Sequence, residues 1–254
     1  MGEVAPMTRA AKVVGVIPAR YASTRLPGKP LADILGRPMI EWVWTRASCA
    51  KLLSKVVIAT DDERIMAAAA RFGAPAVMTS PDCASGTDRV AEVARKTRAD
   101  YLVNIQGDEP LIDPDALDAL VAASVPHKVA MATLGCGMRE ADAKNPVVVK
   151  IVVDGRGYAL YFSRAPIPYQ RATGYASFIK HVGVYLYRRD ILLRLAALPP
   201  APVELAESLE QLRALYNGVR IKVVHTNYDS PHVDDADELA AVVAECGRRG
   251  ITEP

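Results

Sequence analysis

Two hydrophobic rhythms alternate along the first half of this chain. Short β-branched runs at 12–17 (KVVGVI), 55–60, 76–78 and 101–105 read as buried strands of a parallel sheet. Between them, segments 39–51, 63–72, 88–96 and 113–122 read as helices; in the first of these Ile40, Val43, Trp44 and Ala47 recur at helical spacing. The punctuation agrees. Asp61 and Asp62 are placed to cap a helix that Gly73 ends, and a Pro-Asp pair opens the helix at 113. Strand and helix in turn predict an α/β fold, a mostly parallel sheet with right-handed crossovers. After 129 the pattern changes: runs at 129–134, 147–153, 158–163 and 179–187, with a Gly155-Arg156-Gly157 turn, predict an antiparallel lobe inserted over about 147–187. Helices at 190–197, 203–216 and 235–248 and a strand at 219–225 return the chain to the main layer. In the 203–216 helix, Leu205, Leu209, Leu212 and Tyr216 form the buried stripe, which leaves Glu207, Glu210 and Gln211 opposite, with Glu210 able to pair with Arg213. Residues 1–11 read as a flexible tail and 12–254 as one domain.

Composition narrows the function classes. The chain has 254 residues and a net charge of +2, with both signs dispersed and no long basic block, which argues against a dedicated nucleic-acid binder. No apolar stretch approaches the roughly 18 residues of a membrane span, and the start lacks a signal-peptide core, so a cytoplasmic protein is expected. Cys49, Cys83, Cys136 and Cys246 form no C-x-x-C pair, which suggests reduced thiols rather than zinc or redox chemistry.

One segment concentrates charge. PARYASTRLPGKP at 18–30 follows the first strand, so it leaves the carboxyl edge of the sheet, where open α/β sheets bind ligands. Arg20, Arg25 and Lys29 would converge there on a polyanion, helped by backbone N–H groups of the turn; the plainer reading is an exposed basic loop. The strand at 101–105 ends in Gln106-Gly107-Asp108-Glu109-Pro110 and brings Asp108 to the same edge. A carboxylate facing phosphates implies a metal between them, and hard oxygen ligands suit Mg²⁺; alternatively Asp108 only begins a turn. In Ser230-Pro231-His232-Val233-Asp234-Asp235, Asp235 reads as the N-cap of the last helix, which frees Asp234 to face inward, although capping is the commoner role for either.

The blocks PARYASTRLPGKPL, SGTDR (85–89), NIQGDEP (104–110), YFSRAPIPY (161–169), KHVGVYLYRR (180–189), ESLEQLR (207–213) and HVDDADEL (232–239) together resemble the 3-deoxy-manno-octulosonate cytidylyltransferase, or CMP-Kdo synthetase, family. The likeness spans about 12–239. It implies a Rossmann-like sheet of the nucleotidyltransferase type whose antiparallel lobe serves dimerisation and sugar binding. It also implies a Mg²⁺-dependent, dimeric cytoplasmic enzyme of lipopolysaccharide synthesis that transfers CMP from CTP to the anomeric hydroxyl of Kdo. By the resemblance, Ala19, Arg20, Arg25, Lys29, Ser85, Gly86 and Gln106 bind the nucleotide, with Arg20, Lys29 and Asp108 catalytic. Asp108 and Asp234 would hold the metal, and Arg164, His181, Tyr185, Glu210 and Gln211 the acid sugar. The chain reads His232-Val233-Asp234-Asp235-Ala236 where the family usually has Gly-Val-Asp-Thr-Pro, so Asp235 stands as a second candidate ligand.

The chemistry is consistent with these residue types. Attack on an α-phosphate needs alignment and charge neutralisation rather than a nucleophilic triad. Arg164 is a plausible fork for the sugar carboxylate, whereas His181 read by itself is a hydrogen-bonded residue of the lobe. Competing readings are a cytidylyltransferase for a sialic-type or 8-amino acid sugar, and a non-catalytic nucleotide-binding regulator. A dinucleotide oxidoreductase is disfavoured because the first loop has no G-x-G-x-x-G.

Overall fold

The computed structural model describes residues 10–23, 25–172, 174–229 and 231–254; positions 1–9 of the expected tail lie outside the described residues. In chain order the first half comprises β1 (Val13–Ala19), the short hairpin β2 (Asp33–Ile34) and β3 (Arg37–Pro38), α1 (Met39–Ser48), β4 (Lys55–Thr60), α2 (Glu63–Arg71), β5 (Ala76–Met78), α3 (Gly86–Lys96), β6 (Tyr101–Asn104) and α4 (Pro114–Ser124). There follow β7 (Met131–Gly137), β8 (Lys150–Val153), β9 (Ala159–Ser163), β10 (Ile179–Arg188), α5 (Arg189–Ala196), α6 (Pro202–Glu207), α7 (Leu212–Tyr216), β11 (Ile221–His225) and α8 (Ala236–Arg249).

The main sheet runs β11-β7-β10-β6-β1-β4-β5, with all neighbours parallel except at β10, which is antiparallel to both β6 and β7. β8 pairs with the start of β10 and β9 pairs with β8, so the antiparallel strands extend the same sheet. Each face has its own core, which is why β1 is apolar at consecutive positions. Val13 and Ile17 face a cluster with Ile40 and Val43 of α1, Ile65 of α2 and Leu117 and Leu120 of α4. Val14 and Val16 face Val90 and Val93 of α3, Leu192 of α5 and Leu212 of α7. A third cluster seats α8 on α1 through Trp42, Val242 and Cys246, with Val233 buried beside them.

One predicted helix is two. Ser208 takes a left-handed conformation (φ 52°) and ends α6, and Leu209 N–H donates to Glu204 O at 3.1 Å. The break rotates the two halves against each other. Leu209 and Leu212 remain buried, but Leu205 is 67% and Tyr216 61% exposed, contrary to the single apolar stripe read from the sequence.

Candidate active site

β1 and β6 are parallel neighbours, so their carboxyl ends open at one edge, and the basic loop leaves from there. The loop folds back on itself: Gly28 N–H donates to Tyr21 O at 3.2 Å, and Gly28 has φ 71°, the left-handed region that a side chain resists. The Tyr21 ring fills the space beside it, 3.1 Å from where a Cβ would stand, and the Arg64 guanidinium of α2 lies 3.3 Å from that ring's centroid. A single 3₁₀ turn, Lys29–Leu31, then begins, and Lys29 points inward from its first position.

The Lys29 ammonium lies between two carboxylates. Its Nζ is 2.6 Å from Asp108 Oδ2 and 3.1 Å from Asp234 Oδ1, while Arg25 Nη2 is 2.8 Å from Asp234 Oδ2. Backbone contacts bring these groups together. A Cβ on Gly107 would stand 2.9 Å from Pro18 O, so only glycine lets the Asp108 loop lie this close to the end of β1. Val233 N–H donates to Asp108 O at 2.9 Å, which ties the segment carrying Asp234 to the loop carrying Asp108. Asp235 caps α8 by accepting from Glu238 N–H at 2.9 Å, and Glu238 Oε2 accepts from Asp234 N–H at 2.6 Å. His232, Asp234 and Glu238 also bring one ligand atom each within 4.8 Å of one another. Burial opposes charge on Lys29, but the adjacent Asp108 and Asp234 outweigh it and raise its pKa. Burial likewise pushes Asp234 up, and Lys29 and Arg25 outweigh it, so its carboxyl is held below its ordinary value.

Of the other residues expected on the nucleotide side, Ala19 is buried at the end of β1 and Arg20 is exposed just beyond it. Ser85 and Asp88 form a capping box at the start of α3, with Gly86 as the first helical residue. Gln106 Nε2 donates to Gly183 O at 2.7 Å, where the pairing of β10 with β7 shifts register.

The expected sugar-side residues divide into three sets. Tyr185, Glu210 and Gln211 line one cavity of about 80 Å³ together with Thr87, Tyr187 and Arg213. Glu210 accepts from the hydroxyls of Ser85 at 2.9 Å and Thr87 at 2.8 Å, and burial still leaves its carboxyl above the ordinary value. Gln211 is 7% exposed and its Nε2 has no hydrogen-bond partner among the described residues. His181 packs edge-on to Phe162 and against Tyr185, with Nε2 3.1 Å from Thr133 Oγ1; burial pushes its pKa down to about 3, so the ring is neutral. Arg164 does not line the cavity. Its guanidinium donates to Glu207 O at 2.9 Å and Pro146 O at 3.0 Å, with Ser208 O at 3.5 Å.

Three features escaped the sequence reading. Arg213 pairs with Glu204, at 2.5 and 2.9 Å, rather than with Glu210 as the helical spacing suggested. Glu204 is only 7% exposed, and its signal was a Glu at the third position of a helix opened by Pro202. Lys150 is fully buried inside an apolar strand with its ammonium on the carbonyls of Asn145, Val148 and Arg164; a lone charge in the run VVVKIVV was the clue. Arg89, also buried, joins the start of α3 to Asp61 at 2.9 Å.

Comparison with known proteins identifies the family and the fold. The sequence profile of the family described as Cytidylyltransferase matches residues 14–221. The 3-deoxy-manno-octulosonate cytidylyltransferase of Geobacter sulfurreducens is 49% identical over 244 residues, covering 91% of this chain and 98% of that protein. The protein of the same name from Solibacter usitatus is 51% identical over 234 residues, covering 91% and 93%. Among solved structures, a CMP:2-keto-3-deoxy-manno-octonic acid synthetase complexed with CTP superposes with a TM-score of 0.92 at 45% identity, covering 94% of this chain and all of that one. A likeness of this extent shows that the chain belongs to the cytidylyltransferase family, among the 3-deoxy-manno-octulosonate cytidylyltransferases.

Proposed function

We propose that this chain transfers CMP from CTP to the anomeric hydroxyl of Kdo, with Mg²⁺ as cofactor, in a cytoplasmic homodimer serving lipopolysaccharide synthesis. The observation that carries the reading is the meeting of Arg25 and Lys29 with Asp108 and Asp234 at one sheet edge. In the reaction the sugar oxygen bonds to the α-phosphorus, the bond from that phosphorus to the β-phosphate oxygen breaks, and pyrophosphate leaves while the hydroxyl proton is lost. Arg20, Arg25 and Lys29 neutralise charge that builds on the leaving pyrophosphate, and the loop orders the triphosphate for in-line displacement.

Asp108 and Asp234 fit a magnesium site by their chemistry: hard carboxylate oxygens from two loops already converge on one cation, the Lys29 ammonium. Asp108 and Asp234 would hold Mg²⁺ there, and the ion would supply Lewis-acid polarisation of the phosphate and of the attacking hydroxyl. On the sugar side, Tyr185, Glu210 and Gln211 supply a polar recess, and Gln211 Nε2, unpartnered among the described residues, has hydrogen-bonding capacity for a hydroxyl. The recess holds a polar fragment rather than a whole eight-carbon acid. Three N–H groups of Arg164 face carbonyls, which leaves two of the five on a guanidinium for the sugar carboxylate.

Dimerisation is supported by apolar side chains left exposed on and beside the antiparallel strands, Leu160 at 60%, Tyr169 at 87% and Tyr175 at 89%. A reducing compartment suits the four free cysteines, and no helix among the described residues is long and apolar enough to cross a membrane. The test is pyrophosphate release from CTP with Mg²⁺ and Kdo, with other nucleoside triphosphates and acid sugars as controls. Lys29→Ala and Asp108→Asn are each expected to lower the rate at least about a hundredfold, equivalent to roughly 3 kcal/mol at the transition state. A variant near the wild-type rate removes that residue from the mechanism.

A further inference from the structure

Lys29 belongs to two sets of partners that it cannot satisfy at once. The proposed function needs its ammonium on the triphosphate, yet in this structure the ammonium bridges Asp108 and Asp234, the carboxylates proposed to hold the divalent cation. We propose that Lys29 is an exchangeable counter-ion. It holds the two aspartates together until the triphosphate draws it off, and this couples divalent-cation binding to nucleotide binding. The inference rests on the functional reading above and adds to it the order of events at the site.

The geometry supports exchange over a fixed ion cluster in three respects. The Lys29 side chain is 17% exposed and that of Asp108 28%, so the site opens to solvent and can admit a ligand. Both loops are tied without Lys29, Asp234 N–H to Glu238 Oε2 at 2.6 Å and Val233 N–H to Asp108 O at 2.9 Å, so both carboxylates stay in place when the ammonium leaves. Lysine also carries a point charge on a flexible stem, which swings between anionic partners at little cost in geometry. A divalent ion entering while the ammonium remains would meet a like charge at contact distance and carboxylates already neutralised, so the protein alone should bind such ions weakly. Triphosphate removes both obstacles by moving one charge. Linkage then requires the reciprocal effect, with the divalent ion tightening CTP binding by the same factor.

The experiment is a titration of the full chain with Mn²⁺, following free Mn²⁺ by electron paramagnetic resonance, in the absence of nucleotide. Lys29→Met is expected to bind Mn²⁺ more tightly than wild type by roughly 5- to 150-fold, the usual range of coupling between two sites. Lys29→Gln should behave the same way and Lys29→Arg, which keeps the charge, like wild type. Asp108→Asn added to Lys29→Met should abolish the gain, which assigns the ion to this pair, and circular dichroism establishes that each variant is folded. In a second arm, equilibrium dialysis of CTP with and without Mn²⁺ should show strong mutual enhancement in wild type and little in Lys29→Met. If wild type binds Mn²⁺ in the presence of CTP but neither neutral variant gains affinity without it, the exchange is overturned and the enzymatic reading stands. If no protein binds Mn²⁺ through Asp108 with or without CTP, the metal-dependent reading fails as well.

Discussion

Replacing Arg213 with methionine tests how the cavity side of the site is held. The guanidinium contacts both Glu204 oxygens, at 2.5 and 2.9 Å, and donates to Leu198 O at 3.2 Å, with the two side chains only 14% and 9% exposed. Burial alone would raise the Glu204 pKa, but Arg213 and the Ala201 N–H outweigh it and hold the carboxyl below its ordinary value. Removing the arginine leaves a buried carboxylate with one backbone donor, at 2.8 Å, and a carbonyl without its partner. Breaking such a pair from one side costs about 3–5 kcal/mol. At about 2–4 °C per kcal/mol for a domain of this size, Tm should fall by roughly 6–20 °C. Replacing both residues, Glu204→Met with Arg213→Met, should recover most of that loss, because the penalty is an uncompensated charge rather than lost attraction. Urea unfolding at pH 7 followed by circular dichroism measures both variants against the wild type. The sign with pH is also fixed: a carboxyl depressed in the folded state stabilises above its unfolded pKa, and that contribution disappears as pH falls through the folded value. A loss below about 1 kcal/mol for Arg213→Met would mean that the pair behaves as a surface ion pair, and the argument from burial would be wrong.

Two further outcomes follow from burial and close packing. His181, lowered from 6.5 to about 3, refuses a proton that the unfolded chain accepts, so stability should fall as pH drops below 6.5, by about 2 kcal/mol between pH 6.5 and 5. His181→Gln keeps a partner for Thr133 and should remove that slope; urea midpoints at pH 5 and 7 that move as in wild type would refute it. Gly107→Ala should place a methyl 2.9 Å from Pro18 O and push the Asp108 loop away from the basic loop. A stability loss of about 1–3 kcal/mol is expected, with pyrophosphate release down about tenfold or more; an unchanged rate would show that the spacing of these loops does not matter to the chemistry.

What could be read from the sequence, and what could not, follows from how far apart the causes lie along the chain. The strands and helices of the first half are local decisions: β-branched runs fill two cores, and Asp62 and Asp235 cap the helices they precede. From these the parallel pairing of β1 with β6 follows, and with it the adjacency of the basic loop and Asp108, since parallel strands open their loops at one edge. The break at Ser208 had no local signal, because a serine at φ 52° is unusual and no glycine marks the turn. It coincides with non-local contacts. Arg164 reaches over from the end of β9 to the carbonyls of Glu207 and Ser208, and the Glu207 carboxylate accepts from Ser163 Oγ and Arg164 N–H. The same break explains why the spacing of Glu210 and Arg213 misled. In a continuous helix they would share a face, but the break leaves Glu210 in the turn before α7, where it meets Ser85 and Thr87, while Arg213 in α7 meets Glu204. That placement sets a carboxylate expected on the sugar side against the hydroxyls of Ser85, the N-cap of α3, and Thr87 in its first turn. Glu210 therefore joins the cavity to the start of α3 through two hydrogen bonds, and a helix unbroken at Ser208 would point that carboxylate elsewhere.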